Sequence, residues 1–241
     1  MQCERAPSFF CTPLEVHWPL PVALAGVRLC STHFDPAQLH PEDFALAGVQ
    51  PPANILRAEP ERQAEFLAGR ICARGALMAL NGQPDCPAVG EDRSPIWPSA
   101  ISGSITHGDC WAAALAAANS DWQGLGLDVE SLLSPERARC LSDRILTANE
   151  RLRFAADLEE RTGQLVTLAF SLKESLFNAL YPLVGGRLHF EHAELLEWHP
   201  SGLARLRLLI DLSEDWRHGH ELDAQFALFD DRLLSLVAVA A

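Results

Sequence analysis

Hydrophobic residues recur at helical spacing in two long segments of the chain. Residues 61–80 place apolar side chains three or four positions apart, which predicts one amphipathic helix. Residues 166–186 repeat this spacing and predict a second helix, which ends at Pro182 and the glycine pair behind it. Between them, residues 134–161 carry two sets of helix-start residues, a Ser-Pro pair and a Thr-x-x-Glu capping box, and predict two shorter helices.

Continuous or alternating apolar runs predict the strands. Residues 111–118 and 123–133 are two such runs, and the short polar connection between them predicts a β-hairpin. Three more strand-like runs follow the second long helix, at 187–198, 203–212 and 232–240. A helix followed by strands therefore occurs twice, which predicts an α+β fold of two similar halves, 1–120 and 121–241. The first half opens with a proline-rich stretch, residues 1–25, that predicts an irregular arm.

Composition narrows the class of protein. Hydrophobic residues make up 48% of the chain, enough for a sizeable core, and the net charge of −13 argues against binding to nucleic acid or anionic lipid. The seven cysteines are scattered and form no C-x-x-C pair, which indicates reduced thiols rather than zinc ligands or disulfides. The longest apolar run, 111–118, is too short to cross a bilayer, and the first ten residues lack a signal core. We therefore expect a cytoplasmic protein.

Two acidic residues interrupt an apolar strand at "GLGLDVE", residues 124–130. Asp128 and Glu130 are two positions apart, so their side chains point to the same face of the strand. Adjacent carboxylates repel unless a cation lies between them, and Mg²⁺ prefers such oxygen ligands together with substrate phosphate. From spacing alone, two solvated acids at a strand end are the more common explanation.

Three other segments offer polar side chains for chemistry. In "FSLKESLFNAL", Glu174 and Asn178 share one helix face, although Lys173 and Glu174 taken alone indicate a solvated helix surface. In "GSITHGD", a hydroxyl group and an imidazole can meet an anion, although a lone histidine is more often structural. Arginines that can contact phosphate, or can be ordinary surface charges, are Arg62, Arg70, Arg74 and Arg93.

The order of these segments resembles a known family. No Walker loop, dinucleotide-binding fingerprint or serine-nucleophile elbow occurs in the chain. The series "EFLAGRICARGAL", "RSPIWPSAISGSITH", "GLGLDVE" and "FSLKESLFNALYP" instead resembles the 4′-phosphopantetheinyl transferases, in particular the enterobactin-synthetase type of the surfactin-type group. The resemblance covers roughly residues 57–186. It implies two α+β halves related by a pseudo-twofold, with the active site and coenzyme A between them.

This resemblance also implies an activity. Members of the family transfer the 4′-phosphopantetheine group of coenzyme A to a serine of apo acyl or peptidyl carrier proteins and release adenosine 3′,5′-bisphosphate. The resemblance implies Mg²⁺ as the metal, with Mn²⁺ as the alternative, coenzyme A as substrate and a monomeric enzyme. The sequence does not choose among carriers of fatty acid, polyketide and siderophore synthesis.

Individual residues acquire roles only through the resemblance. The implied metal ligands are Asp128, Glu130 and Glu174, and the implied catalytic residues are Glu174, Asp128 and His107. The implied coenzyme A-binding set is Arg62, Arg70, Arg93, Thr106, His107, Asp128 and Glu174. Many relatives carry a lysine where this chain has Asn178.

Two questions stay open at this point. The arginine-rich segment 136–154 predicts part of a carrier-docking face, although two amphipathic helices with solvated arginines explain it equally well. Two other functions also compete with the leading one. One is a coenzyme A-binding relative with little transferase activity, which only Asn178 favours. The other is an unrelated metal-dependent phosphohydrolase that uses the same acids.

Overall fold

A computed structural model describes residues 10–186 and 188–241, so the first nine residues of the predicted arm lie outside the described residues. The described chain divides into two compact units. The N-terminal unit contains residues 10–17 and 26–117, and the C-terminal unit contains residues 18–25 and 118–241 without position 187. Within the described residues, every helix is too short or too polar to span a bilayer.

A four-stranded sheet in the order β1-β2-β6-β5 lies at the centre of the N-terminal unit. The elements of this unit are β1 (Glu15–Val16), β2 (Arg28–His33), α1 (Glu42–Leu46), α2 (Ala53–Leu56), α3 (Pro60–Asn81), β3 (Ala88–Val89), β4 (Pro95–Ile96), β5 (Ile101–Gly108) and β6 (Trp111–Ala118). The long helix α3 packs against β2 and β5. Gly69 permits the close approach, because a Cβ atom there would lie 2.7 Å from Ile105 Cγ2.

A five-stranded antiparallel sheet in the order β7-β11-β10-β9-β8 forms the C-terminal unit. Its elements are β7 (Trp122–Ser131), α4 (Pro135–Ile145), α5 (Ala148–Arg153), α6 (Ala155–Glu160), α7 (Thr162–Val184), β8 (Ala193–His199), β9 (Leu203–Leu208), β10 (Glu221–Phe229) and β11 (Arg232–Ala240). The apolar stripe of α7 packs across β7 and β11 and forms the core of the unit.

The glycines of "GLGL" bring α7 onto β7. A Cβ atom at Gly124 would lie 2.4 Å from the carbonyl oxygen of Ala179, and one at Gly126 would lie 1.8 Å from that of Ser175. A side chain at either position would push the helix away from the strand. The helix backbone therefore rests directly on the strand backbone.

The two serines of "SLKES", Ser171 and Ser175, join α7 to β11 through hydrogen bonds. The Ser171 and Ser235 hydroxyl groups are hydrogen-bonded at 2.8 Å, and the Ser175 hydroxyl donates to the Ser235 carbonyl at 3.0 Å. All three side chains are buried. Because buried hydroxyl groups need their partners, these bonds fix the rotation of α7 about its axis.

The α+β class, both long helices and the two predicted helix caps are confirmed. Ser134 accepts from the Arg137 N–H, and Thr147 forms a complete capping box with Glu150. The long second helix nevertheless differs from its prediction. It begins at Thr162 and continues through Pro182, because its end is set by the left-handed Gly185, whose N–H donates to the Tyr181 carbonyl.

Three predictions about strands are wrong. Residues 111–118 and 122–131 do form strands, but not a hairpin, because β6 pairs with β2 whereas β7 pairs with β11. The last part of the chain contains four strands rather than three, since β10 also forms a strand, in which polar and buried apolar residues alternate from Glu221 to Phe226. The run 187–198 forms a strand only from Ala193, because Phe190–His192 is a 3-10 turn.

Candidate functional site

The predicted acids lie side by side in the C-terminal unit. The Ser171 hydroxyl donates to the Asp128 carbonyl at 3.4 Å, and the Asn178 side-chain amide donates to the Leu127 carbonyl at 3.3 Å. Glu174 lies three residues after the first of these helix positions and four before the second, on the same helix face. Glu174 therefore faces the strand at Asp128, and Glu130 shares the strand face of Asp128.

Their surroundings disfavour the charged form of all three carboxyl groups. Burial raises the pKa of Asp128 to about 8, a hydrogen bond from Ser171 partly opposes this, and the charges of Glu130 and Glu174 add to it. Burial, with a contribution from Glu174, raises the pKa of Glu130 to about 7. The pKa of Glu174 is also raised by burial. The three acids therefore lack a compensating positive charge.

One buried, unpaired oxygen atom lies in this cluster of acids. In the described part of the chain no lysine, arginine or histidine forms an ion pair with any of the three acids, and Asp128 Oδ2 is buried without a hydrogen-bond partner. Within residues 10–186 and 188–241, no three His, Cys, Asp or Glu side chains form a ready-made metal site. The fit to a metal therefore rests on donor type, burial and the unpaired oxygen. On these grounds the acids suit a hard divalent cation.

Asn178 makes a structural contact within the C-terminal unit. Its amide bond to the Leu127 carbonyl joins α7 to β7 one residue before Asp128. The side chain is exposed and brings no charge to the acids. Asn178 thus helps to hold the helix on the strand beside them.

Lys173 does not lie on a solvated surface, so that prediction is wrong. Its side chain is fully buried, and its Nζ donates to the Ile145 carbonyl and to Glu150 Oε2, each at 2.8 Å. A third bond, at 3.1 Å, goes to the carbonyl of Phe190. Packing of α4 and the 3-10 turn around α7, which depends on distant segments, covers this side of the helix.

The N-terminal unit holds a cluster of three charged or titratable side chains, two near the start of α3 and one on β5. Arg62 Nη1 donates to Glu65 Oε2 at 2.9 Å and lies 2.8 Å from His107 Nε2, while His107 Nδ1 lies 3.5 Å from Glu65 Oε2. An arginine only donates, so Nε2 accepts and the proton of the neutral imidazole is on Nδ1. Burial lowers the pKa of His107, Glu65 opposes this and Arg62 adds to it. Glu65 was not among the predicted site residues. Its spacing of three residues from Arg62, which allows an ion pair on one helix face, is the only sequence feature that indicates it.

Two predicted coenzyme A-binding arginines line one cavity. Arg62 and Arg93, with Phe66 and Asn54, lie around a cavity of about 290 Å³ in the N-terminal unit. Both arginines are exposed, and Arg93 has a left-handed backbone with φ of 74°. The cavity combines positive charge with an aromatic wall, which suits an anion that carries an aromatic ring.

The other two arginines of α3 form hydrogen bonds with backbone carbonyls of the N-terminal unit. Arg70 is buried, donates to the Pro87 carbonyl at 2.6 Å and lies 5.1 Å from the centre of the Phe66 ring. Arg74 donates to the carbonyl of Ala47. The implied contact of Arg70 with coenzyme A stays a prediction, and so does that of Thr106, which is buried on β5 beside His107.

The arginine-rich segment forms α4 and α5, and its arginines fall into two groups. Arg137, Arg139 and Arg144 are exposed on α4. The other two arginines bind backbone within the unit, since Arg151 donates to the Leu146 carbonyl and Arg153 to the Leu195 carbonyl. Exposed apolar side chains lie in the same segment, notably Leu152, which is 80% exposed.

Comparisons with known proteins match both units. The 4′-phosphopantetheinyl transferase N-terminal domain family matches residues 50–117, and the 4′-phosphopantetheinyl transferase superfamily matches residues 124–237. Enterobactin synthase component D of Escherichia coli K12 is 40% identical over 163 residues, 68% of this chain and 74% of that protein. The 4′-phosphopantetheinyl transferase Svp of Streptomyces mobaraensis is 37% identical over 164 residues, 66% of this chain and 64% of that protein. Npt of Nocardia iowensis is 30% identical over 141 residues, 58% and 62% of the two chains.

Proposed function

The chain belongs to the 4′-phosphopantetheinyl transferase superfamily, and from that premise we propose how its residues transfer 4′-phosphopantetheine from coenzyme A to a carrier-protein serine. Family membership excludes an unrelated phosphohydrolase. The observation that carries the mechanism is the cluster of half-buried acids around a buried, unpaired Asp128 oxygen. Such a cluster is costly for a folded protein and is typical of a functional site.

Asp128, Glu130 and Glu174 hold a divalent metal, Mg²⁺ or Mn²⁺. When bound, the metal supplies charge neutralisation for the pyrophosphate of coenzyme A. Glu174 has the second role of accepting the proton of the carrier serine, directly or through one water. Support for this role comes from its raised pKa and from its place beside Asp128 on a helix that rests on β7.

Arg62, His107 and Arg93 bind the phosphates and the adenosine end of coenzyme A. Arg62 is half-exposed and its guanidinium is already oriented by Glu65, so it can donate to a phosphate with little loss of side-chain freedom. His107 donates to the anion after it takes up a proton at Nε2, and Glu65 then faces the N–H at Nδ1. The cavity at Arg93 and Phe66 accepts the adenine and its ribose phosphate.

The exposed face of α4 and α5 receives the carrier. Arg137, Arg139 and Arg144 offer positive charge to an acidic partner, and Leu152 offers apolar surface. We take a peptidyl carrier domain of siderophore synthesis as the substrate, since the relative with 40% identity is an enterobactin synthase component. An acyl carrier protein of fatty acid synthesis is the alternative carrier.

One experiment tests the function and the carrier together. The purified chain is incubated with coenzyme A, Mg²⁺ and either an apo peptidyl carrier domain or an apo acyl carrier protein, and the carrier is weighed by mass spectrometry. We expect the phosphopantetheine mass shift on both, with faster modification of the peptidyl carrier. No shift on any carrier, in the presence of measurable coenzyme A binding, would instead support the binding-only relative that Asn178 favours.

The docking face has its own test. Arg144→Glu reverses an exposed charge, and we expect the KM for carrier to rise by roughly tenfold while the KM for coenzyme A stays unchanged. Arg217→Glu, on the loop before β10, is the matched control. An unchanged KM for carrier in Arg144→Glu would place docking elsewhere.

A further inference from the structure

A fully buried ion pair connects α7 with α5 in the C-terminal unit. Lys173 Nζ lies 2.8 Å from Glu150 Oε2, and both side chains are 0% exposed. Neither residue belongs to the acid cluster around Asp128. Burial lowers the pKa of Lys173, and the charge of Glu150 opposes this shift.

Each partner of the pair also binds backbone from other segments. Glu150 Oε2 accepts the Thr147 N–H at 2.6 Å, and Glu150 Oε1 accepts the Leu195 N–H at 2.6 Å. The remaining protons of Lys173 go to the carbonyls of Ile145, at the end of α4, and Phe190, in the 3-10 turn. The pair therefore joins four segments to α7: the end of α4, the start of α5, the 3-10 turn and β8.

Stability alone does not account for such a pair. Two charges lose their hydration when they are buried, and apolar residues of similar volume are often equally stable or more so. Removal of one partner, by contrast, leaves an unpaired buried charge and is strongly destabilising. Compared with apolar packing, the pair holds the joined segments in one defined geometry, because each hydrogen bond fixes a distance and an angle.

These hydrogen bonds fix the orientation of the turn of α7 that carries Glu174. Lys173 and Glu174 are successive residues, so they lie about 100° apart around the helix. One helical turn thus presents Lys173 to the junction of α4 and α5 and Glu174 to β7. A rotation or shift of this turn would move both side chains together.

We propose that Glu150 is a positioning residue that, through Lys173, holds the α4–α5 junction in register with Glu174. The inference rests on the proposed function, in which the carrier docks on α4 and α5 and its serine is deprotonated by Glu174. The same buried contact then sets the distance between the bound carrier and the residue that accepts its proton.

Three variants test the inference. They are Lys173→Met, Glu150→Gln and the double variant, with Glu159→Gln on the exposed face of α6 as the matched control. For each we measure the melting temperature, the Kd for coenzyme A, and kcat and KM for the carrier at a temperature well below every melting point. We expect kcat/KM for the carrier to fall by roughly 10- to 100-fold in both single variants, because small misplacements have effects of this size. The Kd for coenzyme A, measured with a chelator present so that no metal contributes, should stay within about twofold of the parent value, because the contacts in the N-terminal unit are untouched.

The double variant separates positioning from stability. It leaves no charge unpaired, so we expect it to recover much of the melting temperature that the single variants lose. Its kcat/KM for the carrier should stay low, because a methionine and a glutamine do not reproduce the bonds to Ile145, Thr147 and Leu195. The double variant also carries the test if a single variant fails to fold.

Three outcomes overturn the inference. One is a kcat/KM for the carrier equal to the parent value in the folded variants, and another is full recovery of kcat/KM along with stability in the double variant. The third is an equal loss of coenzyme A binding, which would indicate general loss of structure. The parent protein is assayed in parallel: a parent that modifies no carrier overturns the proposed function as well, whereas an active parent with unchanged variants overturns the positioning role alone.

Discussion

The two units treat the charges at their candidate sites in opposite ways. In the N-terminal unit, Arg62 is paired with Glu65 and bonded to His107, so the cationic group is satisfied before any ligand arrives. In the C-terminal unit, burial raises the pKa of Asp128, Glu130 and Glu174, neighbouring acids add to the shifts of Asp128 and Glu130, and Asp128 Oδ2 has no partner. The first arrangement suits reversible binding of an anion, and the second suits binding of a cation.

The two clusters also differ in their effect on the free energy of folding. The pair of Arg62 with Glu65 is half-exposed and adds little to folding, so it can be rearranged at low cost. The acids beside α7 oppose folding when they are ionised. Loss of a residue should therefore affect substrate affinity in the N-terminal unit, and metal binding or catalysis in the C-terminal unit.

The largest effect is expected from Glu174→Gln. It removes the oxygen that we propose binds the metal and accepts the proton, without changing the size of the side chain, so we expect kcat to fall by roughly 10³-fold. The measurement is the rate of carrier modification by mass spectrometry, with Glu159→Gln as the control for loss of an exposed carboxylate. A variant that keeps a tenth or more of the parent rate, as an order of magnitude, would remove Glu174 from the catalytic step.

Arg62→Ala and His107→Ala should act on affinity instead. Each removes one donor to the phosphates, so we expect the KM for coenzyme A to rise by about 10- to 100-fold, with a smaller change in the KM for carrier. Arg57→Ala, an exposed arginine just before α3, is the matched control. Equal changes in both KM values would contradict the assignment of these residues to coenzyme A.

Gly126→Ala tests whether the acid cluster depends on backbone contact. The new Cβ would collide with the Ser175 carbonyl, so we expect a loss of about 1–3 kcal/mol in the free energy of unfolding and weaker Mn²⁺ binding by calorimetry. Gly186→Ala, where a Cβ would meet nothing within 4 Å, should change neither quantity. A stable Gly126→Ala variant would mean that α7 can move away from β7 freely.

Asp128→Asn should give the smallest effect, and its sign depends on pH. The folded pKa of about 8 lies above the usual 3.8, so between these values the folded state binds more protons and its stability falls as pH rises. With a chelator present, we expect the variant to be more stable than the parent by about 1–2 kcal/mol at pH 8 and by less at pH 5. Excess Mg²⁺ should reverse the order at pH 8, because it stabilises the parent alone. Chemical denaturation at both pH values provides the measurement, and a pH-independent difference would contradict the raised pKa.

Local patterns in the sequence predicted much of the fold and of the site. Periodicity located α3 and α7, capping residues located the starts of α4 and α5, and strand alternation placed Asp128 and Glu130 on one face. These features depend on neighbours in the chain, which the sequence displays directly.

The features that were missed depend on contacts between distant segments. The burial of Lys173 requires α4, α5 and the 3-10 turn around it, and nothing near position 173 reveals them. The pairing of β7 with β11 joins residues more than 100 positions apart, so the nearer β6 was the natural but wrong partner. Glu65 was missed for the same reason, since its contact with His107 spans two elements.

The contact of Gly126 with Ser175 has a consequence for ion choice. Where a helix rests on a strand through main-chain atoms alone, no side chain can be lengthened or shortened to change the gap between them. The spacing between Asp128 and Glu174 is therefore set by the backbone, and only carboxylate rotamers can adapt to the radius of an incoming ion. If the proposed site holds a metal, discrimination between small and large divalent cations would then depend on Gly124 and Gly126, which have no side chain to bind it.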